Sequence, residues 1–421
     1  MNTIGRRTGI GAAIRRGFGC AGLLSVALAF PAAAQQFDSE APRQAQRLLQ
    51  PAQYQSAIHK VDDAVPVVTH TYLFTLQTKW GPMKAYGYDA LVLRLRELYA
   101  IQALEDTSKT EAYGKALAKG ATAPIRIAEN LATDPGATIT GIPRGIGAMF
   151  GRIGDSLGGG KSDDGVIATA TGGAAKKREI AVRYNVSPYS TNKVLQDKIG
   201  DLARAEALGG LTMSAATMAM PGGVGMVFTL GRTSEHMTAL LRDRTPAELR
   251  ELNYDTLRNL GVPVDVVRQF LANQFYNPGV QTYLTQSLGA LGGARQLDSF
   301  LRLAAIADDE EDAFLYQRIM QMHAGYHRTV ARIDNVGVIH GLPVALNVNR
   351  DAVVAFPLDE LLWTPRSSQT AAAFDQIINP LQPRRKELWI SGYASPLIKR
   401  ELGARGWTIN ENVRGRLYDI M

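Results

Sequence analysis

One cysteine stands in 421 residues, and it is Cys20. Beyond it the chain can close no disulfide, present no thiolate nucleophile and hold no Cys-ligated metal, so its stability has to come from burial. Hydrophobic residues at 46% supply the apolar material for that, over the length of about two to three ordinary domains. A strong charge of either sign is missing as well. The formal net charge of +7 includes four arginines and no acid in the first 34 residues, which leaves 42 basic against 39 acidic side chains in the other 387. An excess of that size does not indicate a nucleic-acid binder.

The chain also lacks an apolar run long enough for a stable membrane anchor, which takes about 20 residues. What it has instead is short and ordered. Arg6, Arg7, Arg15 and Arg16 precede the uncharged stretch Cys20 to Phe30, and Ala32-Ala33-Ala34 stands before Gln35. A basic start, an apolar middle and an A-x-A site predict an export signal over residues 1–34, cleaved so that the mature chain starts at Gln35 in the periplasm or outside the cell. Arg15-Arg16-Gly17-Phe18 carries the core of a twin-arginine signal, with Ile14 and Gly19 departing from the usual flanks, so the sequence leaves two export routes open.

Along the rest of the chain, the pattern predicts a mainly α fold with α+β parts. Residues 35–65, rich in Gln, Ala and Pro, are expected to be loosely structured, with one short helix around Gln53 to Val61. Over 66–157, His70 to Gln77 and Met83 to Tyr88 flank Lys79-Trp80-Gly81-Pro82 as a β-hairpin. Helices come next, from Asp89 and from Lys109, and Ile142, Ile146, Phe150 and Ile153 form a weak amphipathic stripe within 134–157. The Gly- and Ala-rich stretch 158–178 reads as a linker. Residues 179–335 are expected to form an orthogonal helical bundle. Its boundaries are signalled by Thr245-Pro246, by Asn277-Pro278 and by the acids from Asp308. From Val336 the apolar period changes from helical to alternating, so 336–421 is expected to be a separate, small C-terminal α/β domain.

Candidate chemistry is sparse. Ser190-Thr191-Asn192-Lys193 has the S-x-x-K spacing of penicillin-recognising enzymes, in which a Lys one turn along a helix takes the Ser proton. No K-T-G comes after it, and Ser190 reads better as an ordinary helix N-cap. His323 and His327, four apart on a helix, can face one metal, with Asp334 and His340 as distant further ligands. No Glu lies between them, so the zinc-protease pattern is absent. Gly158-Gly159-Gly160-Lys161-Ser162 has the tail of a phosphate-binding loop, but Asp155 replaces its first glycine. Ala207 to Gly231 carries no charge, yet its six glycines and Pro221 favour a buried hairpin over a membrane span.

Taken together these features predict an exported bacterial envelope protein with a structural or interaction role. Its expected partner is another envelope protein or a membrane surface, and no cofactor, nucleotide or nucleic acid is expected. The alternatives are an extracytoplasmic hydrolase with a dispersed site and a membrane-active protein using 134–157 and 207–231.

Overall fold

The aromatic and β-branched runs around Lys79-Trp80-Gly81-Pro82 pair as a hairpin in the computed structural model, which describes residues 36–120, 173–209, 235–339 and 341–418. Strand β3 (Thr71–Thr78) carries β1 (His59–Val61) and β2 (Val67–Val68) along one edge and β4 (Met83–Tyr86) along the other, all antiparallel. Gly87, at φ +89°, turns β4 directly into α1 (Tyr88–Ser108). A side chain at that φ would be strained. The recurring Leu91, Leu95 and Leu98 of α1 then bury against Phe74 and Leu76 of β3.

Helices dominate the described residues between 111 and 329: α2 (Glu111–Gly120), α3 (Gly173–Arg183), α4 (Lys193–Gly209), α5 (Glu235–Asp243), α6 (Pro246–Asn259), α7 (Val264–Ala272), α8 (Pro278–Ala290), α9 (Leu297–Ala304) and α10 (Glu310–Thr329). Their starts are chemically marked. The Thr245 hydroxyl and Glu248 carboxylate form a capping box at α6, and Asn277 accepts the Val280 N–H at α8. At α10 the cap is Asp309, one residue beyond Asp308. Helix α10 packs against α8 on one side and against the C-terminal segment on the other.

That segment opens with the meander β5 (Ile333–Ile339), β6 (Leu342–Asn347) and β7 (Ala352–Phe356), and continues through α11 (Pro365–Ile378), β8 (Lys386–Ile390), α12 (Pro396–Ala404), β9 (Trp407–Asn410) and α13 (Arg414–Leu417). The sheet order is β9-β8-β7-β6-β5, parallel across β9, β8 and β7 and antiparallel from β7 to β5. The fold is thus mainly α with α+β parts.

Three expectations need correction. Residues 36–65 are built into the fold: Ala45, Val61 and Val65 are fully buried beside Phe74, and Asp38 accepts the Trp363 N–H at 2.7 Å. Their polar composition conceals a few apolar residues that all land in one core. The break near 335 does not divide two cores. One apolar cluster runs from Leu257 through Tyr316, Tyr326 and Val353 to Tyr418, and Phe37–Met421 form one compact unit. The change of period marks a change of secondary structure, not of core. The end of the expected linker, from Gly173, is already helix α3, whose Ile180 and Ala181 are buried against α4. The expected signal 1–34, the expected stripe 134–157, the glycine-rich motif 158–162, most of 207–231 and His340 lie outside the described residues.

Candidate functional site: a cleft walled by arginines

Helix α1 has no side-chain cap of its own. Its first N–H, that of Tyr88, is met from far along the chain by the Asp359 carboxylate at 3.1 Å, which also accepts the backbone N–H of Tyr72 in β3 at 3.0 Å. Arg414 of α13 completes the junction. Its guanidinium reaches Asp89 at 2.9 Å, Asp359 at 2.8 Å and the Ser391 carbonyl at 2.8 Å, and lies over the Tyr88 ring at 4.8 Å. One buried arginine therefore ties the hairpin, α1 and the C-terminal sheet together. Backbone approach is equally close there: a Cβ on Gly392 would stand 2.0 Å from the Asp359 carbonyl, and one on Gly325 of α10 2.1 Å from that of Leu417.

Burial and pairing set these charges against one another. Burial alone would raise the Asp89 carboxyl, but the neighbouring Arg414 and Arg318 outweigh it and hold the group below its ordinary value. Burial pushes Asp359 up to about 6 against the pull of Arg414, with the Asp89 charge acting in the same direction. Two acids share one arginine, so the second ionises reluctantly.

Beside this junction a cleft of about 300 Å³ opens between α1 and α10, a volume at the small end for ligand pockets. The hairpin end, the segment 182–191 and α8 complete its walls. At one end stand Arg94, Glu97, Glu310 and Glu311. Glu97 is almost wholly buried and is consumed by three partners: Arg94 at 2.9 Å, the Ser190 hydroxyl and the Asn192 amide at 3.1 Å. Burial and the nearby Asp309 and Glu310 raise the Glu311 carboxyl. At the other end are Arg96 and Arg318. Arg318 lies over the rings of Phe314 at 5.1 Å and Tyr418 at 4.7 Å, and donates to Gln321 at 2.9 Å. Its buried Nε makes no hydrogen bond and stands 3.7 Å from Asp89. Burial and the like charge of Arg318 both pull Arg96 below the ordinary arginine value.

The residues singled out from sequence are scattered by the fold. Ser190 lines the cleft, but its hydroxyl donates to Glu97, while Lys193 is exposed on the first turn of α4. His323 is fully buried in α10, donating Nδ1–H to the Ile319 carbonyl at 2.8 Å, and Nε2 has no hydrogen-bond partner. His327 accepts the Ile333 N–H through Nδ1 at 3.0 Å. The two rings are held by separate local bonds. Asp334 pairs with Arg295. Among the described residues, the acids close enough to share a cation are Asp308, Asp309 and Asp312. Asp309 caps α10 there, and acids in a first turn complement the helix dipole.

Arg96, Glu97, Arg318, Asp359 and Arg414 had no motif to announce them. The one available signal was charge within an otherwise leucine-spaced helix, at Arg94, Arg96 and Glu97. No helix among the described residues is long and apolar enough to cross a membrane. No family model, curated protein or solved structure matches the chain, so its chemistry is read from its own geometry.

Proposed function

We propose that the chain is an exported protein of the bacterial envelope that acts by binding, and that the cleft between α1 and α10 is where it binds. The basic, apolar and A-x-A segments at 1–34 support export. The observation that carries the binding reading is the state of the polar groups in the cleft. The hydroxyl best placed to act as a nucleophile, Ser190, is bound to a carboxylate already engaged by Arg94 and Asn192. Aromatic walls with a few convergent charges suit recognition of a small molecule better.

The hydrolase reading retains one supporting feature, the contact of Ser190 with a buried carboxylate inside a cleft. Thermal-shift screening of the purified protein against small amphipathic molecules, with ester substrates assayed in parallel, separates the two. Binding predicts a rise in Tm of a few degrees with at least one compound at saturation and no turnover. Ester turnover abolished in Ser190→Ala would transfer the site to the hydrolase. N-terminal sequencing of the extracytoplasmic protein is expected to begin at Gln35.

A further inference from the structure

Phe314, Gln317, Arg318 and Gln321 recur at helical spacing on α10, and all four line the cleft. Arg318 orders the two amides. A guanidinium has donors only, so Gln321 turns its oxygen to it, and Oε1 accepts from Arg318 at 2.9 Å. The same oxygen accepts the Gln317 amide N–H at 3.1 Å. Both amides are thereby fixed, with Gln317 using a donor and Gln321 its acceptor. What remains is an acceptor, Gln317 Oε1, and a donor, Gln321 Nε2, and neither has a hydrogen-bond partner among the described residues. The two residues are only 4% and 6% exposed, yet neither of these atoms is sealed from solvent. Buried amides open on one side to a cleft favour a ligand group that matches them.

The ionic groups of the cleft, by contrast, are matched within it. Arg94 pairs with Glu97 at 2.9 Å and Arg318 with Asp89 at 3.7 Å. The other cations of the lining, Lys84 and Arg96, are equalled in number by Glu310 and Glu311. No net charge is left for an ion to neutralise, so a charged ligand would give up hydration without a matching partner. Apolar surface comes from Leu93, Phe275 and Phe314, the last with its ring 5.1 Å from the Arg318 guanidinium. The volume of about 300 Å³ is twice the roughly 150 Å³ of a cavity that takes one benzene, which sets the body at about two rings.

Building on the binding reading, we infer that the cleft takes an uncharged ligand with an apolar two-ring body and a carboxamide, whose carbonyl accepts from Gln321 Nε2 and whose N–H donates to Gln317 Oε1.

Calorimetric titration of the purified protein with 1-naphthamide, methyl 1-naphthoate and 1-naphthoate tests this. The ester keeps the carbonyl but has no N–H, and the carboxylate adds a charge. Each is expected to bind at least about tenfold more weakly than the amide, because a site built to pair with a donor leaves its own acceptor unpaired when that donor is missing. Gln317→Met, close in size and without the amide, should bring amide and ester to equal affinity while ester binding stays near wild type. Circular dichroism confirms that the variant is folded, and if it does not fold, the wild-type ratios among the three probes still decide. Equal binding of amide and ester in the wild type, tighter binding of the carboxylate, or an amide preference unchanged in Gln317→Met overturns this inference and leaves the binding reading standing. Failure of all three probes while another compound raises the Tm does the same, and failure of every compound overturns both.

Discussion

Arg414 illustrates how much one side chain can organise. Burial works against its charge, and Asp89 and Asp359 outweigh that, raising its pKa above the ordinary arginine value. Removing one member of such a set leaves buried charge uncompensated, at a typical cost of about 3–5 kcal/mol. Arg414→Ala is therefore expected to lose stability on that scale in urea denaturation, and Arg414→Ala with Asp89→Asn and Asp359→Asn to recover much of it. His323 gives a second test at this scale. Burial lowers it from an ordinary 6.5 to about 4, so the unfolded chain takes up a proton before the folded one does. Its neutral form is fully accommodated above pH 6.5, and stability falls as pH drops from 6.5 to about 4, by about 3 kcal/mol in all. His70 is lowered to about 4 for the same reason, while Asp359, raised to about 6 from 3.8, works in the opposite sense over the window between them. The difference between wild type and His323→Leu isolates the one group. It should narrow in favour of the variant on acidification across that window, and a pH-independent difference would contradict the assignment.

At the scale of elements, most of the fold was legible because its ends are written in local chemistry. Thr245-Pro246, Asn277-Pro278 and the acids after Asp308 each start a helix, and the alternating runs after Val336 pair as a meander. Where the pattern fell short, the signal was local but unweighted. Thr364 caps α11 with Ser367 and sets its start at Pro365, a local signal that the apolar pattern does not carry. Helix α3 was hidden by the glycine-rich residues before it. Close backbone contact is not visible in any period. Gly325 lies inside α10, where glycine costs about 1 kcal/mol relative to alanine, and the cause is α13 pressed against it. Gly325→Ala should consequently destabilise, by overpacking of about 1–3 kcal/mol or more, although alanine is the better helix former. Hydrogen exchange should show faster opening at 411–418 in that variant, and unchanged protection there would argue against the contact.

Across the whole molecule the division into elements is local, but the joining of elements is not. The core shared by α6 to α10 and the C-terminal sheet contains buried residues from Leu257 to Tyr418, so a fragment ending near 335 would strip Tyr326 of its contacts with Asn347 and Trp389. Such a fragment is expected to be unfolded by circular dichroism, and a cooperatively folded one would restore the boundary that the sequence pattern suggested. The cleft was illegible for the same reason. Its walls come from residues near 90, 190, 280, 315 and 418, and only folding brings them together. Ser190 alone among the sequence candidates lies on it.

That this cleft is the place of binding is tested most directly by filling it. Leu93 projects into the cleft from α1 without belonging to its charge pairs. In Leu93→Trp the added ring should occupy the space between Phe275, Tyr283 and Phe314. Titration with a compound that raises the wild-type Tm is then expected to give no binding, while the melting temperature of the free variant stays within a few degrees of wild type. A folded Leu93→Trp protein that binds that compound as tightly as wild type would contradict the assignment of the cleft.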